Sequence, residues 1–418
     1  MSQSILIVDD DASVRESMGG VLRDEGYSVS EAADGQAALE SLAAELPGLV
    51  LLDVWMPGLD GIDLLARIRE IYEDLPVVVV SGHGNVETAV RATRLGASDF
   101  LEKPFSIDGL LRSVGRALSE DSAITVDEQG DFPAARPMLP GQPLLRQRTL
   151  ARSVVGGGLG LHSGVRTGVI LHPLGPGNGI RFAGVGSDSQ VLAHVDNVDS
   201  TGYATSLYRD GVAARTIEHL MAALHAYGVT NLLVKVEGEV PILDGSAVEF
   251  CELLESAGVV DQDADIAAVT VDKEIRLEPG PDQFIVVTPA DRLELTYELS
   301  YPDPVGDQVY TFVLDSPGAF KEQIAPARTF GFVEEIRRLE GAGLGQGGLL
   351  SNLILIGEGG IVNTELRFVD ELARHKILDL LGDLYLLGAP LQARVHARKT
   401  GHSNNVELVR AIAAAASV

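Results

Sequence analysis

Residues 1–120 alternate between short apolar runs and amphipathic stretches five times in succession, and few architectures accommodate that rhythm. "SILIV" reads as a buried strand, "SVRESMGGVLRDEG" as a helix closing on glycine, "YSVSEA" as a strand and "GQAALESLAAE" as a helix. "LVLLD", "GIDLLARIREI", "PVVVVSG", "VETAVRATRLG", "DFLEK" and "IDGLLRSVGRAL" continue the pattern. Continuous apolar strands need cover on both faces, so five strand–helix units predict an α/β doubly wound domain with a five-stranded parallel sheet. Such sheets present their functional groups beyond the carboxyl ends of the strands. Asp9 and Asp10 follow the first strand, Asp53 ends the third, Ser81 the fourth and Lys103 the fifth.

Three carboxylates converging on one rim repel each other unless a hard cation joins them, so Mg²⁺ is expected there. An aspartate backed by a cation can accept a phosphoryl group, and a lysine and a hydroxyl nearby can hold the new oxygens. The stretches "VDDD", "LLDVWMPGLDG", "VVSGHG" and "GASDFLEKPF" resemble the motifs of a two-component receiver domain across the whole segment. The resemblance implies that Asp53 is the phosphoacceptor and that Asp9 and Asp10 join it at the magnesium. It also places Ser81 and Phe100 at the switch positions, with Lys103 as the receiver's lysine. A sensor histidine kinase or a small phosphodonor is the implied partner.

At 418 residues the chain suits two or three domains, and a hydrophobic fraction of 45% provides cores for all of them. A net charge of −28 argues against wrapping nucleic acid or lying on an anionic membrane. The single cysteine, Cys251, excludes an internal disulfide or a cysteine-based zinc site and fits a reducing compartment. "MSQSILIVDDD" has no basic n-region, and no run is long enough to span a bilayer, so a cytoplasmic protein without membrane insertion is expected. Residues 121–145 are acidic and then proline-rich (Pro133, Pro137, Pro140, Pro143), which reads as a semi-extended linker. No G-x-x-x-x-G-K-[ST], G-x-S-x-G or terminal basic helix-turn-helix follows. The glycines of "GAGLGQGG" (Gly343, Gly345, Gly348) succeed a helix-like stretch rather than a strand, so a loop is expected instead of a dinucleotide site.

Four segments gather the remaining chemistry. "RTIEHLMAALHAYG" (215–228) predicts a helix with Thr216 as N-cap, Gly228 as stop, and Glu218 and His219 in its first turn. "ARTFGF" sets Thr329 among aromatics, and "KTGHSNN" puts His402 in a Gly/Asn-rich turn. "ELARHKILDLLGD" (371–383) carries His375, Asp379 and Asp383 at spacings of four, on one stripe of an amphipathic helix. Taken singly, each has a structural explanation: a core histidine, or a solvated acidic face paired with Arg374 or Lys376. Together, His375 and Asp379 at i, i+4 with His219 as a third ligand leave one zinc position open, the catalytic pattern. Glu218 could then take a proton from water in that position, and His402 could protonate a departing amine. A 2-His-1-carboxylate set also suits non-haem iron, so spacing alone leaves the metal open.

Residues 146–410 resemble UDP-3-O-acyl-N-acetylglucosamine deacetylases, zinc amidases of lipid A synthesis. "QRTLARSV", "GLGLHSG", "TIEHLMAAL", "VPILDGSA", "PARTFGF", "LRFVDELARHKILDLLGDL" and "KTGHSNN" carry the likeness. The resemblance implies zinc, or Fe²⁺ in its place, on His219, His375 and Asp379, with Glu218 as general base. It implies His402 as the proton donor oriented by Asp383, Thr329 polarising the amide carbonyl, and Lys376 supporting substrate or oxyanion. "ILDGSAVEF" reads as a capping box of Ser246 and Glu249, and His162 is given no role. The expected organisation is a receiver at 1–120, a linker at 121–145, and an α+β deacetylase of two similar halves, 146–265 and 266–418, with helices packed on mixed sheets. The competing function is a response regulator whose deacetylase-like half only binds.

Overall fold

A computed structural model describes residues 4–54, 56, 60–81, 91–92, 95–102, 107–118, 143–185, 187, 189–334, 345–348 and 350–415. The chain divides into two compact units, one built on Met1–Ile124, the other on Thr125–Gly184 and Ser189–Val418.

The first unit is a parallel sheet of β1 (Ser4–Val8), β2 (Ser28–Ala32), β3 (Leu49–Asp53), β4 (Val77–Ser81) and β5 (Asp99–Glu102), in the order β2-β1-β3-β4-β5. Strand alternation sends Leu6, Val8, Val50, Leu52, Val77 and Val79 to one face, where Ile62 and Leu65 of the Gly61–Ile71 helix cover them. Ile5, Ile7, Leu49, Leu51, Val78 and Val80 take the other face, under Leu22 and Leu110. Both faces of the central strands β1, β3 and β4 are therefore dry, as their apolar runs require, while the edge strand β2 is mostly exposed. The expected "VETAVRATRLG" helix lies mostly outside the described residues; so do Lys103 and all of the linker except its last three residues.

In the second unit, a five-stranded sheet runs in the order Gln190–Leu192, Ile180–Ala183, Leu232–Val236, Arg166–Pro173, Val154–Leu159. A second sheet orders Ile275–Gly280, Gln283–Pro289, Leu391–Arg398, Glu294–Ser300 and Asp307–Val313, with Val269–Thr270 also paired to Leu391–Arg398. Both mix parallel and antiparallel pairs. The helices Glu218–Tyr227 and Glu371–Leu384 pack against each other, and one apolar core includes residues of both sheets and both helices. The joint expected near residue 265 falls inside the strand Val259–Ala267, which pairs with Leu144–Leu150.

Three local expectations need correction. The first helix of the second unit begins at Glu218 with Ile217 at its N-cap, not Thr216. Thr216 sits at φ +55, and its hydroxyl donates to Glu239 Oε1 at 3.0 Å. A buried carboxylate outcompetes a helix end for that donor. The Ser246/Glu249 capping box does not form either: the helix Val248–Ala257 has Ala247 at its N-cap, and Ser246 Oγ donates to Asp244 Oδ1 at 2.6 Å. Finally, His402 is not in a turn but opens the helix His402–Ala415.

Candidate functional sites

The receiver rim comes first. Asp9, Asp10 and Asp53 present ligand atoms within 4.8 Å of one another; Asp9 and Asp53 are buried and Asp10 is exposed. The Asp11 N–H donates to Asp9 Oδ1 at 2.9 Å, fixing that carboxylate. Behind Asp53 the chain folds back closely: a Cβ on Gly61 would lie 2.0 Å from the Asp53 carbonyl oxygen, so only glycine fits that position of "LLDVWMPGLDG". Ser81 is buried at the end of β4, and Phe100 is buried on β5. Three oxygen donors in this arrangement suit Mg²⁺.

In the second unit the expected residues converge on the crossing of two helices. Gly382 marks the closest approach: a Cβ there would lie 2.1 Å from the Glu218 carbonyl oxygen. Contact that close brings Glu218 and His219 of one helix against Asp379 and Asp383 of the other. All four are buried, as is His375. His219 Nε2 lies 3.7 Å and His375 Nε2 3.5 Å from the same atom, Asp379 Oδ1. The two imidazoles meet edge to face with centroids 5.1 Å apart. His375 Nδ1 donates to the Ala327 carbonyl at 3.2 Å, so its Nε2 lone pair faces the cluster. A tetrahedral ion with bonds of about 2.0–2.1 Å separates its ligand atoms by about 3.4 Å. The donor set and both nitrogen–oxygen distances therefore fit zinc.

Electrostatics agree with that fit. Three buried carboxylates, Glu218, Asp379 and Asp383, occupy one site, which is costly unless positive charge is supplied. Burial pushes the Glu218 carboxyl up. Burial also pushes Asp379 up, but His375 and Lys376 outweigh it and hold this acid well below the usual carboxylate range. Lys376 Nζ donates to Asp379 Oδ2 at 2.9 Å, and the ammonium stands 5.3 Å over the Phe330 ring. Burial drives His375 down to about 3, keeping the imidazole neutral as a metal ligand must be.

On the far side of Asp379 stands His402, its Nε2 4.0 Å from Asp379 Oδ2. Its Nδ1 donates to Asp383 Oδ2 at 2.9 Å, and Asn405 Nδ2 donates to the same oxygen at 2.9 Å. Burial disfavours the imidazolium, yet Asp383 and Asp379 carry His402 up to about 10.

The structure thus brings together Glu218, His219, His375, Lys376, Asp379, Asp383 and His402. Thr329 is placed by its backbone: its N–H donates to Gly245 O at 2.7 Å and its carbonyl accepts from Ile354 N at 2.8 Å. The adjacent Phe330 ring lies 5.9 Å from His375. The acidic stripe does not pair with Arg374, which bonds Asp370 and stacks on Tyr310 and Phe368. Sequence reasoning missed two residues. Asn405 lies three beyond His402 on one helix face, a spacing visible once His402 is read as helical. Thr205 carries no local signal at all, yet its N–H donates to Glu218 Oε2 at 3.0 Å and its hydroxyl to Asp383 Oδ1 at 2.6 Å.

Replacing Gly382 by alanine is expected to wedge the two helices apart. Overpacking of this kind costs roughly 1–3 kcal/mol. Urea denaturation should show that loss, and zinc titration should show weaker retention in the same variant. Wild-type stability with wild-type zinc affinity would contradict the close crossing.

Comparison with known proteins places these features in context. A family model for UDP-3-O-acyl N-acetylglycosamine deacetylase matches residues 147–414, and one for the response regulator receiver domain matches residues 5–115. A UDP-3-O-acyl-N-acetylglucosamine deacetylase of Nitratiruptor sp. is 41% identical over 264 residues, 62% of this chain and 88% of that protein. One of Myxococcus xanthus is 42% identical over 271 residues, 64% of this chain and 86% of that protein. The solved receiver domain of NtrX from Brucella abortus is 48% identical, covering 27% of this chain and 97% of that one, with a TM-score of 0.27.

Proposed function

Because this chain belongs to the UDP-3-O-acyl-N-acetylglucosamine deacetylase family and carries a receiver domain ahead of that part, we propose a working site and a regulatory input for the family's reaction. The reaction is hydrolysis of the N-acetyl amide of UDP-3-O-acyl-N-acetylglucosamine, releasing acetate, in lipid A biosynthesis. The metal is zinc, with Fe²⁺ the alternative, held by His219, His375 and Asp379. When bound, it supplies the electrophile that polarises water and the amide carbonyl. Glu218, beside a ligand and pushed up by burial, accepts the proton of the attacking water. His402, held protonated and oriented by Asp383, delivers a proton to the departing amine nitrogen. Lys376 and Thr329 support the charge that develops on the carbonyl oxygen.

The observation that carries this reading is the pairing of a two-histidine, one-aspartate ligand set with a separate histidine, His402, held on its far side by a buried carboxylate. A module that only binds gains nothing from a proton donor. Acetate release from UDP-3-O-acyl-N-acetylglucosamine by the purified chain, with zinc and after chelation, tests it. Substrate binding without acetate release at any zinc level would favour the binding-module alternative.

In the receiver, Asp53 is the phosphoacceptor, Asp9 and Asp10 hold Mg²⁺ with it, and a sensor histidine kinase or small phosphodonor supplies the phosphoryl group. Ser81, Phe100 and Lys103 complete the switch. Among the described residues no helix is long and apolar enough to cross a membrane. The single cysteine suits a reducing compartment, and we propose a cytoplasmic location. The domains are assigned as receiver 1–120, linker 121–145 and deacetylase halves 146–265 and 266–418. Phosphorylation adds negative charge at the rim, and a coupling of about 1–3 kcal/mol would change output some 5–150-fold. Acetyl phosphate or beryllofluoride should accordingly alter deacetylation rate or oligomeric state in wild type but not in Asp53→Asn. Identical responses in both proteins would reject regulation through Asp53.

A further inference from the structure

We infer that Thr205 is a positioning residue that locks the proton-accepting and proton-donating arms of the site to one another. The inference rests on the roles proposed above for Glu218 and His402. Thr205 is completely buried and stands just before the strand Ser206–Arg209, between the two arms. Its N–H donates to Glu218 Oε2 at 3.0 Å, engaging one oxygen of the base. Its hydroxyl donates to Asp383 Oδ1 at 2.6 Å, while Asp383 Oδ2 receives His402 Nδ1 and Asn405 Nδ2. The same hydroxyl oxygen lies 3.3 Å from His402 Nδ1, so that proton is shared between Asp383 and a lone pair of Thr205.

The consequences follow from counting donors. A buried carboxylate with both oxygens engaged cannot rotate without losing a charge-assisted bond. Asp383 in turn fixes the imidazole plane of His402, and thereby the direction of Nε2. The Thr205 backbone is itself pinned, because the Ile217 N–H donates to its carbonyl at 3.3 Å. Nearby, Thr201 Oγ1 and Ser403 Oγ lie 2.8 Å apart, tying the same segment to the helix that His402 opens. One residue therefore sets the base through its main chain and the acid through its side chain. The bonds to Asp383 and His402 require a hydroxyl at this buried position.

Thr205→Val tests the idea, because it keeps the shape and the N–H to Glu218 while removing the hydroxyl from Asp383 and His402. Expected is a fall in kcat of about 10–100-fold, the effect of losing one hydrogen bond to a charged group, with KM and zinc content unchanged. Thr205→Ser, which restores the hydroxyl, should recover most of the turnover. The Nδ1 proton resonance of His402 should move in the valine variant and return in the serine variant. His402→Ala, assayed alongside, separates the two possible failures. If His402→Ala loses turnover while Thr205→Val stays within twofold of wild type, the role of Thr205 is wrong and the site reading stands. If His402→Ala is itself fully active, the site reading fails first. Should Thr205→Val lose zinc, the smaller Thr205→Ala is read in its place, and zinc loss there too would make Thr205 a purely structural residue and overturn the inference.

Discussion

His375→Ala is expected to lose zinc and turnover together. His375 contributes one of two imidazole nitrogens that face Asp379 Oδ1, and its ring is held by the Ala327 carbonyl and buried from solvent. Without it, a buried carboxylate and one histidine remain, and two ligands hold the ion weakly. No neighbouring group can substitute: among the described residues of the second unit, His219, His375 and Asp379 form the one cluster of metal-ligating side chains. Metal analysis should read one zinc per chain in wild type and close to none in the variant. Because the ion binds only the folded protein, chelation should lower the melting temperature of wild type and leave the variant unchanged. A variant with full zinc content would remove the ligand assignment.

The receiver fold was legible in the sequence because β1, β3 and β4 are largely apolar runs and two of the helices between strands start at capping aspartates. Asp34 and Asp60 cap the helices that follow them, accepting from Ala37 N and Ile62 N. The metal ligands were legible because i, i+4 spacing on a helix is a local property. What the sequence concealed is what depends on tertiary contacts. Thr216 looks like an N-cap until a buried Glu239, 23 residues away, claims its hydroxyl. Ser246 is diverted locally instead, by Asp244 two residues before it in the chain. Thr205 lies 178 residues from Asp383 in the chain, and no spacing rule connects them. Gly382 reads as a minor interruption of an amphipathic helix; its need appears only when Glu218 is seen against it.

Glu218→Ala and His402→Ala should each retain zinc yet lose about 10²–10⁴-fold in kcat, the usual contribution of a positioned acid or base. Neither side chain belongs to the ligand set, so metal analysis separates this pair from His375→Ala. Their pH dependences should differ in sign. Glu218 acts deprotonated, and burial raises its pKa, so activity falls as pH drops through that raised value. His402 acts protonated; Asp383 and Asp379 carry it up to about 10 against burial, so activity falls as pH rises through its pKa. Positive charge at the neighbouring ligands shifts both limbs to lower pH without exchanging them. Wild type should therefore show a bell-shaped kcat profile, Glu218→Ala should lack the acidic limb, and His402→Ala the alkaline one. Residual activity in each variant reflects the arm that remains, so the double variant should lose less than the product of the single losses. If removing Glu218 instead abolished the alkaline limb, the two roles would have to be exchanged, and Asp383 would be orienting the base rather than the acid.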